Sequence, residues 1–178
     1  AYATLANTHV NYCLIPEERF NLEDGENALF PALLKRLKRR QHAVVVVSEG
    51  AGQEFFSEQK REKDASGNVL HQNIGLYLKE KICEFSKKTG FEINVKYFDP
   101  TYQIRSIPAQ GADAVFCSLL AQNAVHVAMA GATDVVIGHW SNNFTQVPIS
   151  AATSKRKKIS TDGSLWRSVR LSTWAKYE

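Results

Sequence analysis

Apolar and polar positions fall in blocks along this chain, and the period changes from block to block. VNYCLI (10–15) is a short apolar run closed by Pro16, which predicts a strand. From Ala28 to Arg40, Leu29, Leu33, Leu34 and Leu37 recur at helical spacing, predicting a helix with its basic residues turned outward. AVVVVS (43–48) is continuous and β-branched, the pattern of a strand covered on both faces in a parallel sheet, and it runs into the turn EGAGQ. Residues 57–73, SEQKREKDASGNVLHQN, are polar and include Asp-Ala-Ser-Gly-Asn, which predicts a surface loop. Ile74, Leu78, Ile82 and Phe85 mark a helix that stops near Gly90, and INVKYF (93–98) alternates as a strand does. IPAQGADAVF leads into a long apolar helix from Ala112 to Ala130, closed by Gly131, and DVVIGHW (134–140) predicts another buried strand. Leu165, Trp166, Val169 and Trp174 stand near helical spacing and predict a closing helix.

Strands alternating with helices predict an α/β fold, helices packed on a largely parallel sheet. The chain has 178 residues, 44% of them hydrophobic, enough for one domain with a substantial core. No apolar run approaches the roughly 20 residues that span a bilayer. The opening AYATLANTHV lacks the basic flank and apolar stretch of a signal peptide. Cys13, Cys83 and Cys117 are widely spaced in apolar surroundings, without zinc-site spacing. They are expected to be buried reduced thiols, as in a cytoplasmic protein. AYATLAN reads as the back half of a helix, and the sole methionine is Met129, so a stretch of a longer chain is expected.

The net charge of +4 raises the question of nucleic acid. The excess sits in KRLKRR (35–40), on the solvated face of a helix, and in SKRKKIS (154–160), which has no aromatic residue to stack bases. An anionic metabolite suits such a surface equally well.

In open α/β sheets, ligands collect beyond the carboxyl ends of the strands. Glu17 in IPEERF, Glu49 in SEGAGQ, and Tyr102 with Arg105 in FDPTYQIRS all follow predicted strands. Each has an ordinary structural alternative: a turn cap for the carboxylates, a surface ion pair for the arginine. EGAGQ lacks the Lys-Ser/Thr of a P-loop. His126 reads as a packed helix histidine; His9, His42, His71 and His139 share no spacing. These residues point to an α/β domain that binds a phosphorylated small molecule.

Taken in order, ANTHVNYCLIPEERF, HAVVVVSEGAGQ, DASGN, VKYFDPTYQIR, QNAVHVAMAG and VPISAAT resemble the carboxyl-terminal half of the 6-phosphofructokinase family. The likeness is greatest to the plant, protist and bacterial branch, which mostly uses ATP. It implies a three-layer, Rossmann-like phosphofructokinase fold over residues 1–178, a cytoplasmic glycolytic enzyme and a homodimer or homotetramer. It also implies transfer of a phosphoryl group to the 1-hydroxyl of fructose 6-phosphate, with ATP and Mg2+ held mainly by an amino-terminal domain. The GGD loop, the TIDND segment with its general base and the Met-Gly-Arg motif of that domain do not occur in this sequence. The resemblance therefore implies no catalytic or metal-binding residue in this chain, which alone would be inactive. It implies that Glu17 accepts hydrogen bonds from the sugar hydroxyls, and that Tyr102 and Arg105 hold the 6-phosphate. Lys96 stands where a related branch has an arginine reaching a neighbouring subunit's substrate, and a lysine keeps that charge without the bidentate fork. A pyrophosphate-dependent enzyme and a non-catalytic sugar-phosphate-binding module are the alternatives. Neither nucleic acid nor a membrane is an expected partner.

Overall fold

The apolar run VNYCLI places six consecutive buried residues at the start of the fold: Val10, Asn11, Tyr12, Cys13, Leu14 and Ile15 are each at most 7% exposed. A strand's side chains alternate between its two faces, so such a run needs cover on both. The computed structural model, which describes residues 1–25, 28–56 and 70–173, supplies that cover. Of the expected loop at 57–73 only its last residues are described, and DASGN and Trp174 lie outside the described residues. The chain divides into two compact units, residues 1–98 with 158–178, and residues 99–157.

In the first unit, β1 (Tyr12–Leu14) pairs in parallel with β2 (Val45–Val47), with Tyr12 opposite Val45 and Leu14 opposite Val47. Buried Asn11 extends the ladder, its Oδ1 accepting from Val44 N at 2.8 Å. Tyr12 and Leu14 face a core made by α2 (Leu29–Arg40) and α3 (Ile74–Thr89), where Leu29, Phe30, Leu33, Leu78 and Ile82 gather. Cys13 and Ile15 face the other way, onto Trp166 and Val169 of α7 (Ser164–Ser172). The short α1 (Tyr2–Ala6) packs beside α7. The result is helix, parallel strands, helix: the α/β layering expected from the sequence.

α3 starts at Asn73, whose side chain accepts from Leu76 N at 3.0 Å, and stops at Gly90 in the left-handed conformation. Between α2 and β2, Arg36 departs from the expected outward basic face. It is 6% exposed and donates through Nε to His42 O at 3.0 Å, tying the end of α2 to the chain entering β2.

Two strand expectations change. Val45, Val46 and Val47 are half-buried rather than covered on both faces. INVKYF keeps its period of two, with Ile93 and Val95 turned to the main core and Asn94 and Lys96 exposed, yet it joins no ladder among the described residues. A cavity of about 650 Å3 separates it from β2, lined by Val45, Val47, Leu78, Ile82, Ile93 and Val95 among others. The apolar alternation is satisfied by side-chain contact alone, without backbone pairing.

The second unit begins with α4 (Thr101–Ser106) and α5 (Ala112–Met129). β3 (Val135–Trp140) and β4 (Asn143–Pro148) follow as an antiparallel hairpin, and α6 (Ile149–Thr153) closes the unit. The expected buried strand at 134–140 is thus half of a hairpin with residues exposed along it. Ser141 and Asn142, both at positive φ, make a two-residue turn whose twist suits paired strands. α5 lies against the hairpin through Phe116, whose ring sits 5.3 Å from His139 and 5.7 Å from Phe144. By length and composition α5 could cross a membrane. Gln122, Asn123 and His126 interrupt its apolar surface, a costly set of groups for a bilayer interior. Cys13 is buried as expected, Cys83 is half-buried and Cys117 is exposed; all three are free.

Gly75 offers a direct test of this packing, because a Cβ there would lie 2.2 Å from Tyr97 Cε2. Gly75→Ala is expected to destabilise the chain by about 1–3 kcal/mol in urea unfolding, and adding Tyr97→Ala should recover part of that loss. Phe30→Ala, at a fully buried position, is expected to cost about 3–5 kcal/mol in the same measurement.

Candidate functional site

A parallel pair sends both strands out of the sheet at the same edge. Ser48 N donates to Leu14 O at 2.9 Å, so β1 and β2 end level, and the loops IPEE and EGAGQ leave side by side. They abut: a Cβ on Gly50 would lie 3.5 Å from Pro16 Cβ, ordinary van der Waals contact. Glu17 and Glu49 therefore belong to one edge of one sheet, as the sequence suggested.

Their surroundings differ. Glu49 is exposed, and its loop is held by Gln53, whose amide donates to Glu49 O at 2.9 Å and Gln72 O at 3.0 Å. Gln53 Oε1 also accepts from Gln72 N at 3.0 Å, so EGAGQ is a stapled structural turn. Glu17 is half-buried, and its Oε1 accepts from Ile159 N at 3.3 Å. That partner lies 142 residues away along the chain. Beside it, Glu18 Oε2 accepts from Trp166 Nε1 at 2.7 Å, and Glu18 Oε1 lies 3.8 Å from Arg170 Nη1. Sequence reasoning passed over Glu18. Its signal was weak: a second carboxylate in IPEE and a tryptophan far along the chain.

Lys96 is exposed on the extended segment that lines the cavity. In the second unit, Tyr102 and Arg105 do not follow a strand but lie on α4, three residues apart and so on one helix face. Tyr102 is 82% exposed. Arg105 is also exposed and forms no ion pair among the described residues. Asp99 opens α4, its Oδ1 accepting from the hydroxyl of Thr101 and from Thr101 N at 3.0 Å. These bonds, the hydroxyl first, hold the Asp99 carboxyl below its ordinary value, and the charge of Arg105 adds to the effect. The motif FDPTYQIR thus folds as an Asp99 turn followed by a short helix that carries a phenol and a guanidinium together. His126, expected to be packed, is exposed on α5; His139, also exposed, places its ring 5.1 Å from the Phe144 ring.

No family model matches the chain. Curated proteins do. An ATP-dependent 6-phosphofructokinase of Borreliella burgdorferi is 44% identical over 179 residues, covering 97% of this chain and 40% of the relative. ATP-dependent 6-phosphofructokinase 1 of Arabidopsis thaliana is 44% identical over 177 residues, covering 97% of this chain and 37% of that protein. The ATP-dependent 6-phosphofructokinase of Amycolatopsis methanolica is 42% identical over 175 residues, covering 95% and 38%. The chain spans two-fifths or less of the length of these relatives, a share that fits a carboxyl-terminal half.

The Asp99 bonds carry a pH dependence of definite sign. A depressed carboxyl contributes stability above its unfolded value, near 3.9, and loses it as pH falls through the folded value. Thr101→Val removes the hydroxyl donor, so the Asp99 titration followed by NMR is expected to move upward, toward that ordinary value.

Proposed function

We propose, from homology to the ATP-dependent 6-phosphofructokinases over 97% of its length, that this chain is the fructose-6-phosphate-binding part of such an enzyme. The complete enzyme transfers the γ-phosphoryl group of ATP to the 1-hydroxyl of fructose 6-phosphate, in glycolysis. The hydroxyl loses its proton, and fructose 1,6-bisphosphate and ADP leave. ATP is favoured over pyrophosphate because the relatives are ATP-dependent by name.

The observation that carries the assignment of residues is the pairing of Tyr102 and Arg105 on one face of α4, with the guanidinium free of any ion pair among the described residues. A sugar 6-phosphate is a dianion near neutral pH, and a guanidinium fork matches two of its oxygens. The tyrosine hydroxyl adds a donor without adding charge. Glu17 uses Oε1 on Ile159 N and keeps Oε2 for sugar hydroxyls. Lys96 adds positive charge from an exposed position, reaching substrate across a subunit contact in a homodimer or homotetramer. None of these groups touches the reacting 1-hydroxyl. They use binding energy at the far end of the sugar to hold it in line for attack.

Mg2+ and ATP are assigned to an amino-terminal domain outside the sequence, and catalysis requires both parts. The free thiols suit a reducing compartment such as the cytoplasm, although two relatives are chloroplastic by name.

In the complete enzyme, Arg105→Ala is expected to raise KM for fructose 6-phosphate by about 2–3 kcal/mol, on the order of a hundredfold, as a charged hydrogen bond is lost. Tyr102→Phe should cost about 1 kcal/mol, the worth of a neutral hydrogen bond. Steady-state kinetics decides both, and an unchanged KM in Arg105→Ala removes that residue from the phosphate site.

A further inference from the structure

The IPEE loop is gripped from the far end of the chain. Ile159 N donates to Glu17 at 3.3 Å, and Trp166 Nε1 donates to Glu18 at 2.7 Å. Both donors belong to the same packed group, in which Trp166, 2% exposed, and Ile159 lie against Cys13 and Ile15 of the β1 strand run. Glu18 is 31% exposed at its side chain, and Arg170, one turn beyond Trp166 on α7, stands 3.8 Å from its other oxygen. A buried indole N–H needs an acceptor, and a carboxylate makes that bond charge-assisted. Such a bond fixes the acceptor's backbone as well as its side chain. The neighbouring residue, Glu17, has one oxygen engaged and one left for a ligand, so a small rotation of the loop would re-aim it.

We propose that Glu18 is a positioning residue: its bond to Trp166 locks the IPEE loop onto α7 and so aims Glu17 at the sugar. The proposal rests on the assignment of Glu17 as a sugar-binding residue. It makes the closing helix part of the substrate site although none of its residues touches substrate. Positioning to within a fraction of an ångström is what such supporting groups supply.

The test is steady-state kinetics of the complete enzyme carrying Glu17→Ala, Glu18→Ala, Glu18→Gln, Trp166→Phe, or Glu18→Ala with Trp166→Phe. Loss of a charge-assisted bond should raise KM for fructose 6-phosphate on the order of tenfold in Glu18→Ala and in Trp166→Phe. KM for ATP and kcat should stay within about twofold, because the bond supports only the sugar end. The double variant should be no worse than either single one, since both remove the same bond. Glu18→Gln keeps an acceptor for the indole and should restore most of the affinity.

If Glu17→Ala raises KM for fructose 6-phosphate while Trp166→Phe and Glu18→Ala leave it unchanged, the positioning role is overturned and the sugar site stands. If kcat and KM for ATP deteriorate as much as KM for the sugar, the bond is only structural and the proposal falls. If Glu17→Ala has no effect, the sugar-site assignment fails, and the positioning role with it. Should Glu18→Ala not fold, Trp166→Phe, which keeps the buried ring, decides.

Discussion

Everything in the first unit depends on β1 being buried on both faces. Tyr12 and Leu14 point into one apolar cluster, Cys13 and Ile15 into another, and the two clusters are built from different helices. A strand placed this way must pair through its backbone, since no water reaches its polar groups. Pairing with β2 in parallel then forces both strands to leave the sheet at one edge. The clustering of loop carboxylates at that edge is a consequence of the pairing, which arises from the burial.

The same burial explains why the loop beyond β1 is well held. α7 is there to cover Cys13 and Ile15 with Trp166 and Val169. Once the tryptophan is buried, its indole N–H must be satisfied, and Glu18 is the group within reach. Packing on the back of the sheet and geometry at its edge are coupled through one side chain. The second unit has no such double-sided strand. Its hairpin and α5 meet through rings, and the turn before α4 is shaped locally by Asp99 and Thr101.

Much of this was legible from the pattern of apolar residues. α2, α3, α5 and α7 fall where the helical periodicity puts them, and the left-handed end of α3 lies at Gly90. β1, β2 and β3 lie inside the predicted runs. The exceptions share a cause. INVKYF has strand alternation, and its side chains obey it, but alternation reports which side chains face the core and says nothing of whether a backbone edge lies alongside. Arg36 sits in a basic run and turns inward, because the carbonyl of His42 offers a partner that no local pattern reveals. The hairpin turn at Ser141 and Asn142 lacks the glycine that usually announces one.

The sequence by itself determined the class of the fold, the order of its elements and which polar residues, Glu17, Lys96, Tyr102 and Arg105, stand as candidates for a site. It could do so because hydrophobic period and capping chemistry act over a few residues. Only the tertiary structure decided that Tyr102 and Arg105 share a helix face, that EGAGQ is a turn stapled by Gln53, and that Glu18 is bound by α7. Those facts depend on partners 19 and 148 residues away, or on whether a segment coils or extends. Contacts across such distances are selected by packing, after local preferences have done what they can.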